Sequence, residues 1–183
     1  MTMAYHQIKL WAVTRNLPIR EVAPGIRVAL FNLLGDWELT ETAGRALADL
    51  IPDEVEALLM PDGKAQALLH VLGRQSLLPT FVARKERKPY MGENVVSVAV
   101  KSITTNREQH LYLSEEDHKA LRGKKVAFVD DVVSTGGTLE ALKALTHAIG
   151  AEHIATLAVF TEGIPREDVI SLGHLPLFGS EMK

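Results

Sequence analysis

The run Val126-Ala127-Phe128-Val129-Asp130-Asp131-Val132-Val133-Ser134-Thr135-Gly136-Gly137-Thr138-Leu139 concentrates the chemistry of this chain. Its four leading apolar residues predict a buried strand. That strand delivers Asp130 and Asp131 at its carboxyl end, the edge at which open parallel sheets bind ligands. The polar loop from Ser134 to Thr138 then opens a helix, predicted over Thr138 to Ile149 from the spacing of Leu139, Leu142, Leu145 and Ile149. A helix start offers unpaired N–H groups and a partial positive charge, and both suit a phosphate. Gly136 and Gly137 permit close approach of the backbone, and the hydroxyls of Thr135 and Thr138 add donors.

Two carboxylates repel phosphate, so they need a different partner. As pure acceptors they suit two neighbouring sugar hydroxyls, and they can hold Mg2+ directly or through water. Phosphate donors beside paired carboxylates describe a phosphorylated sugar with free hydroxyls. The plain alternative is a capped strand–helix turn with solvated aspartates. A Walker A loop would need a lysine after its glycines, and a dinucleotide fingerprint would need G-x-G-x-x-G; this run has neither.

Other elements must position that loop. Val126 to Val129, the helix after it and an apolar strand over Ile154 to Phe160 form one βαβ unit. A second unit precedes it: a strand over Val55 to Met60, a turn at Pro61-Asp62-Gly63, a helix over Lys64 to Leu72 ended by Gly73, and a strand over Thr80 to Ala83. Upstream, strands are predicted at Ile8 to Val13 and Ile26 to Phe31, punctuated by Pro18 and Pro24-Gly25. A helical face follows Asp36 through Ala43 and Leu47. Val95 to Val100 and Gln109 to Leu113 read as two β arms of a hairpin. Ser114 caps a short helix, with Asp117 at its third position. The tail from Thr161 to Lys183, rich in glycine and proline, reads mostly as turns. The fold class is therefore α/β with a mainly parallel sheet.

Composition bounds the rest. The 183 residues are 46% hydrophobic and 23% charged, as in an ordinary globular domain. A net charge of -3 gives no global basic field for nucleic acid, although a local patch stays open. No cysteine is present, which excludes disulfides and thiolate metal sites. No stretch approaches the roughly 18 apolar residues of a membrane helix, and Met1 to Leu17 lacks a signal-peptide core. No nucleic-acid partner, no membrane association and a cytoplasmic location are expected.

Val126–Leu139 closely resembles the phosphoribosyl pyrophosphate (PRPP) motif of the type I phosphoribosyltransferases. Two weaker stretches point to an adenine-type member. Pro24-Gly25-Ile26 through Leu34 is similar to the N-terminal segment of adenine phosphoribosyltransferases, and Arg84-Lys85-Glu86-Arg87-Lys88-Pro89 resembles their R-K-x-x-K-x-P stretch. The resemblance implies a single domain over residues 1–183, with helices flanking the central sheet. It also implies a small hood built from residues 1–35 and 161–183, and a mobile β hairpin loop within 90–112. The implied reaction is Mg2+-dependent transfer of the 5-phosphoribosyl group from PRPP to a purine base, adenine before others. The alternatives are a hypoxanthine, guanine or xanthine acceptor, or a non-catalytic PRPP-sensing regulator. A homodimer is the family expectation.

The resemblance also assigns residues. Val133, Ser134, Thr135, Gly136, Gly137 and Thr138 would bind the 5'-phosphate. Asp130 and Asp131 would hold the ribose and metal and form the catalytic set with Lys64 and Arg84. The turn after Met60 becomes the pyrophosphate loop, often with a strained or cis peptide. There Asp62, Gly63 and Lys64, joined by Arg84, Lys85 and Lys88, would bind diphosphate. Phe31 and Val132 would contact the base. Lys101, Ser102, Thr104, Thr105 and Glu108 would close over the site. Two departures stand out. Adenine enzymes usually carry E-x-R-G in the pyrophosphate loop, whereas this chain has Asp62 and Lys64, and lysine lacks arginine's planar fork. Ser134 replaces the aspartate that many 6-oxopurine enzymes place near base N7, which favours adenine.

Overall fold

The computed structural model describes residues 4–101 and 108–179. Its centre is a five-stranded sheet of β4 (Ala57–Pro61), β5 (Thr80–Ala83), β8 (Lys125–Val133), β9 (Glu152–Glu162) and β10 (Ile170–Leu175). The spatial order is β10-β9-β8-β4-β5, and every neighbouring pair is parallel. Strands buried on both faces read as continuous apolar runs, and β8 shows why. Ala127 and Val129 pack into one core with Leu58, Met60 and Leu157, whereas Val126 and Phe128 pack into a second with Leu59, Leu139 and Leu142.

The first core lies under α1 (Trp37–Ala48) and α2 (Gln66–Ser76), which pack on each other. A Cβ at Gly44 of α1 would collide with Val71 of α2, so this glycine sets how closely the helices approach. The second core lies under α4 (Gly137–Ala148) and the short α3 (Glu115–Leu121), with a hairpin of β6 (Val96–Lys101) and β7 (Glu108–Leu113) against it. Ser114 caps α3 as expected, its hydroxyl accepting from the Asp117 N–H at 3.1 Å. Ser102, Thr104 and Thr105 lie outside the described residues.

A second, antiparallel sheet has the order β1-β2-β3-β11, from Tyr5–Leu10, Val13–Ala23, Ile26–Ala29 and Phe178–Gly179. Here the structure corrects the sequence expectations. The strand expected over Ile8 to Val13 divides at Trp11, which takes a left-handed turn with φ 52°. Pro18 does not end β2. It sits at the terminal pair of the β1–β2 ladder, opposite Tyr5, and its carbonyl still accepts from the Leu30 N–H at 3.0 Å. Gly73 does not end α2 either. A Cβ there would come within 2.5 Å of Thr80 Cγ2, so this glycine lets the helix pass close to β5, and Leu77 (φ 59°) makes the C-terminal turn. The tail is not mostly turns: β10 extends the main sheet and β11 closes the small one beside β3.

Candidate functional site

Asp130 and Asp131 are the last polar positions inside β8 rather than the first residues after it, since the strand runs on to Val133. Both are half-buried and both line a pocket of about 370 Å3 at the carboxyl edge of the sheet. Each carboxylate turns back on the chain. The Asp131 N–H donates to Asp130 Oδ1 and the Val132 N–H to Asp131 Oδ1, both at 2.9 Å. Burial, reinforced by the neighbouring Asp131 charge, pushes the Asp130 carboxyl up to about 7, and Lys85 partly offsets this. The pair is thus held so that a proton, a cation or hydroxyl donors are needed to neutralise it.

Immediately beyond, Gly136 takes a left-handed conformation (φ 81°) and α4 begins without any side-chain cap. The N–H groups of its first turn therefore have no side-chain acceptor. Ser134 and Thr138 line the same pocket as the aspartates. Thr135 is exposed, whereas the Val133 side chain is buried in the core at 3% exposure and leaves only its backbone for a ligand. Arg166, which sequence reasoning did not single out, lies against Gly136 where a Cβ would stand. Its guanidinium donates to both Asp168 oxygens, at 3.0 and 2.6 Å.

The opposite wall comes from the ends of β4 and β5. Asp62, Gly63 and Lys64 line the pocket, and α2 starts behind them with no side-chain cap at Ala65. No described peptide bond is cis, and Gly63 is not left-handed. Lys85 reaches the same pocket, so the βαβ unit brings Lys64 and Lys85 to face the aspartates. Arg84 and Lys88 do not line it. Arg84 Nε stands 3.4 Å from Asp62 Oδ2, and the side chain borders a separate pocket with Tyr90 and Asp117. Its backbone exchanges two 2.8 Å hydrogen bonds with Tyr112, tying the hairpin to β5. Lys88 pairs with Glu86 at 2.6 Å.

The third wall joins the two sheets. Phe31 is 7% exposed and meets Phe160 edge to face, with ring centroids 4.9 Å apart. Phe31 and Val132 both line the pocket, as does Glu162, the last residue of β9. The Glu162 side chain was not singled out from the sequence either. Its only signal was an acid closing an apolar strand that runs parallel to β8. Burial pushes its carboxyl above the usual glutamate range, opposed by His174. Trp37 is 76% exposed at the start of α1 and belongs to neither core nor site.

A parallel α/β sheet with an acidic pair and an uncapped helix start at its carboxyl edge defines a nucleotide- or sugar-phosphate-binding class of fold. Residues 61–172 match the model of the phosphoribosyl transferase domain, and the chain belongs to that family of pentosyltransferase enzymes. Among curated relatives, the hypoxanthine/guanine phosphoribosyltransferase of Methanothrix thermoacetophila is 33% identical over 131 residues, 70% of this chain and 62% of that protein. The HGPRTase-like protein 1 of Haloquadratum walsbyi is 26% identical over 150 residues, 82% of this chain and 71% of that protein. Among solved structures, the adenine phosphoribosyltransferase of Thermoanaerobacter pseudethanolicus is similar over 93% of this chain and 95% of its own, with TM-score 0.65 and 17% identity. The purine phosphoribosyltransferase of Pyrococcus horikoshii covers 75% of this chain and 84% of its own, with TM-score 0.54 and 20% identity. At such identity these structures speak for the fold alone.

Proposed function

We propose that the protein transfers the 5-phosphoribosyl group of PRPP to a 6-oxopurine base, giving a nucleoside 5'-monophosphate and diphosphate. One observation carries the reading. Asp130 and Asp131, the uncapped start of α4, and the cations Lys64 and Lys85 surround a single pocket. In this reading the α4 amides with Ser134, Thr135 and Thr138 anchor the 5'-phosphate, and the backbone from Val133 to Gly137 lets it approach. Asp130 and Asp131 accept hydrogen bonds from the ribose hydroxyls. Asp62, Gly63, Lys64 and Lys85 receive the diphosphate. Arg84 acts through Asp62 by holding that turn, and Lys88 sits one pair further out.

Mg2+ fits this donor set. Among the described residues no cluster of three or more His, Cys, Asp or Glu side chains gathers to cage a metal. Two adjacent carboxylates suit an ion that retains waters and substrate oxygens. Asp130 and Asp131 would hold it, and it would supply charge neutralisation to the diphosphate. The chain's own contribution is orientation and electrostatics. The loop and the acidic pair fix the sugar at both ends, and Lys64 and Lys85 stabilise the charge that leaves C1'. No covalent enzyme intermediate is required. Phe31 and Val132 form the apolar wall for the base.

The acceptor is read from the relatives. Adenine is what the resemblance of Pro24–Leu34 and Arg84–Pro89 to adenine enzymes implies, and Ser134 still favours it. The curated relatives similar to this chain, however, are named for hypoxanthine and guanine or for HGPRTase likeness. Mixing PRPP and Mg2+ with adenine, hypoxanthine, guanine and xanthine in turn tests this by product identification. Nucleotide formation with one or more 6-oxopurines is expected. Turnover of adenine alone would overturn the acceptor assignment, and turnover of no base would overturn the transferase reading in favour of a PRPP sensor.

A further inference from the structure

The strand order assigns each wall of the pocket a different part of the substrates. β8 is central, with β4 and β5 on one side and β9 on the other. At an anomeric carbon displaced in line, the entering base and the departing diphosphate occupy opposite faces. A ribose held by Asp130 and Asp131 at the end of β8, with diphosphate toward Lys64 and Lys85, therefore carries its base toward the end of β9. That end is Phe160-Thr161-Glu162. Strand alternation sends Thr161 to the other face, where its hydroxyl and His174 Nδ1 are 2.9 Å apart. Phe160 and Glu162 share one face of the strand; Phe160 packs against Phe31, and Glu162 lines the pocket together with Phe31 and Val132. No described residue donates a hydrogen bond to the Glu162 carboxylate, although it is half-buried. A half-buried carboxylate that no protein group donates to is stabilised by a ligand that supplies donors.

We propose that Glu162 is a specificity-determining residue for the base, selecting an edge that presents two neighbouring N–H donors. The inference rests on the phosphoribosyl-transfer reading above. Guanine offers that edge, with its ring N1–H beside the 2-amino group. Hypoxanthine offers a single donor flanked by an oxygen acceptor. Xanthine separates its two pyrimidine-ring donors with an oxygen. Adenine pairs its amino group with an acceptor nitrogen, which a carboxylate repels. A site built to pair with donors discriminates strongly against analogues that lack them.

The test measures kcat/KM for the four bases in wild type, Glu162→Gln and Glu162→Ala, alongside KM for PRPP. Equilibrium binding of guanine and adenine to each protein in the presence of ribose 5-phosphate is read in parallel. In wild type guanine is the best base. Both variants are expected to lose guanine efficiency by on the order of 30-fold or more, to change little for hypoxanthine, and to hold KM for PRPP. Glu162→Gln, the isosteric change, controls for folding. An equal fall for all bases, or unchanged preference, would overturn the role of Glu162. Absence of turnover in wild type would instead overturn the transferase reading, and the binding preference would still decide the role of Glu162.

Discussion

Asp130 is held at an electrostatic cost. Its carboxyl is raised from an ordinary 3.8 to about 7 by burial and by Asp131. Between those values the unfolded chain gives up the proton and the folded chain keeps it. Ligand-free stability therefore falls as pH rises through this window and stays reduced above it. Asp130→Asn removes the penalty. The ligand-free variant is expected to exceed wild type by roughly 1–3 kcal/mol at pH 8 and to converge with it below pH 4 in denaturant unfolding. A variant less stable than wild type at pH 8 would mean the carboxylate is a structural group rather than a ligand group. The trade of stability for an acceptor site is familiar in functional pockets. Lys64 and Lys85 sit across the pocket, exposed, and they supply the opposite charge without burial cost.

At the scale of elements, the site depends on how the small sheet joins the main one. Arg15 of β2 donates to both oxygens of Asp36, at 2.6 and 2.9 Å, and Asp36 in turn accepts from the Leu39 N–H at 3.1 Å to cap α1. Arg15, opposed by partial burial and helped by the cap bond, holds the Asp36 carboxyl below the ordinary 3.8. Its contribution is complete above that value and is lost as pH falls through the lowered one. Asp36→Ala is expected to cost about 1–2 kcal/mol at pH 7 in thermal or denaturant unfolding, with the deficit shrinking in acid. A deficit that is constant with pH would contradict the link. α1 was legible because a clean helical period follows Asp36, whereas the capping role of Asp36 is shown by the structure. Both βαβ units and the acidic loop were legible for the same kind of reason, an apolar run followed by turn chemistry. The strand β10 was hidden in the sequence Ile170-Ser171-Leu172-Gly173-His174-Leu175, whose glycine and polar residues suit an edge position. Glu162 was hidden because the pocket it lines is assembled from segments far away in sequence, and Arg166 because Gly136, which it lies against, is far away as well. Arg84 was expected in the pocket from its place in a basic run, but the chain direction at the end of β5 turns it toward Asp62 and the second pocket.

At the scale of the whole molecule, five segments distant in sequence converge on one edge: the end of β3 with the stretch after it, the β4–α2 turn, Lys85 just past β5, the end of β8 with its loop into α4, and the end of β9. No helix among the described residues is long and apolar enough to cross a membrane. Parallel strands bring these loops together because each strand of the central sheet ends at the same side. In the proposed transfer all of them act at once, with the acidic pair at the centre. The most direct check compares nucleoside 5'-monophosphate formation from PRPP, Mg2+ and purine bases by wild type and by Asp130→Asn combined with Asp131→Asn. Turnover is expected in wild type and a loss on the order of 100-fold or more in the double variant, with the fold retained by circular dichroism. Near-normal turnover in the double variant would contradict this expectation.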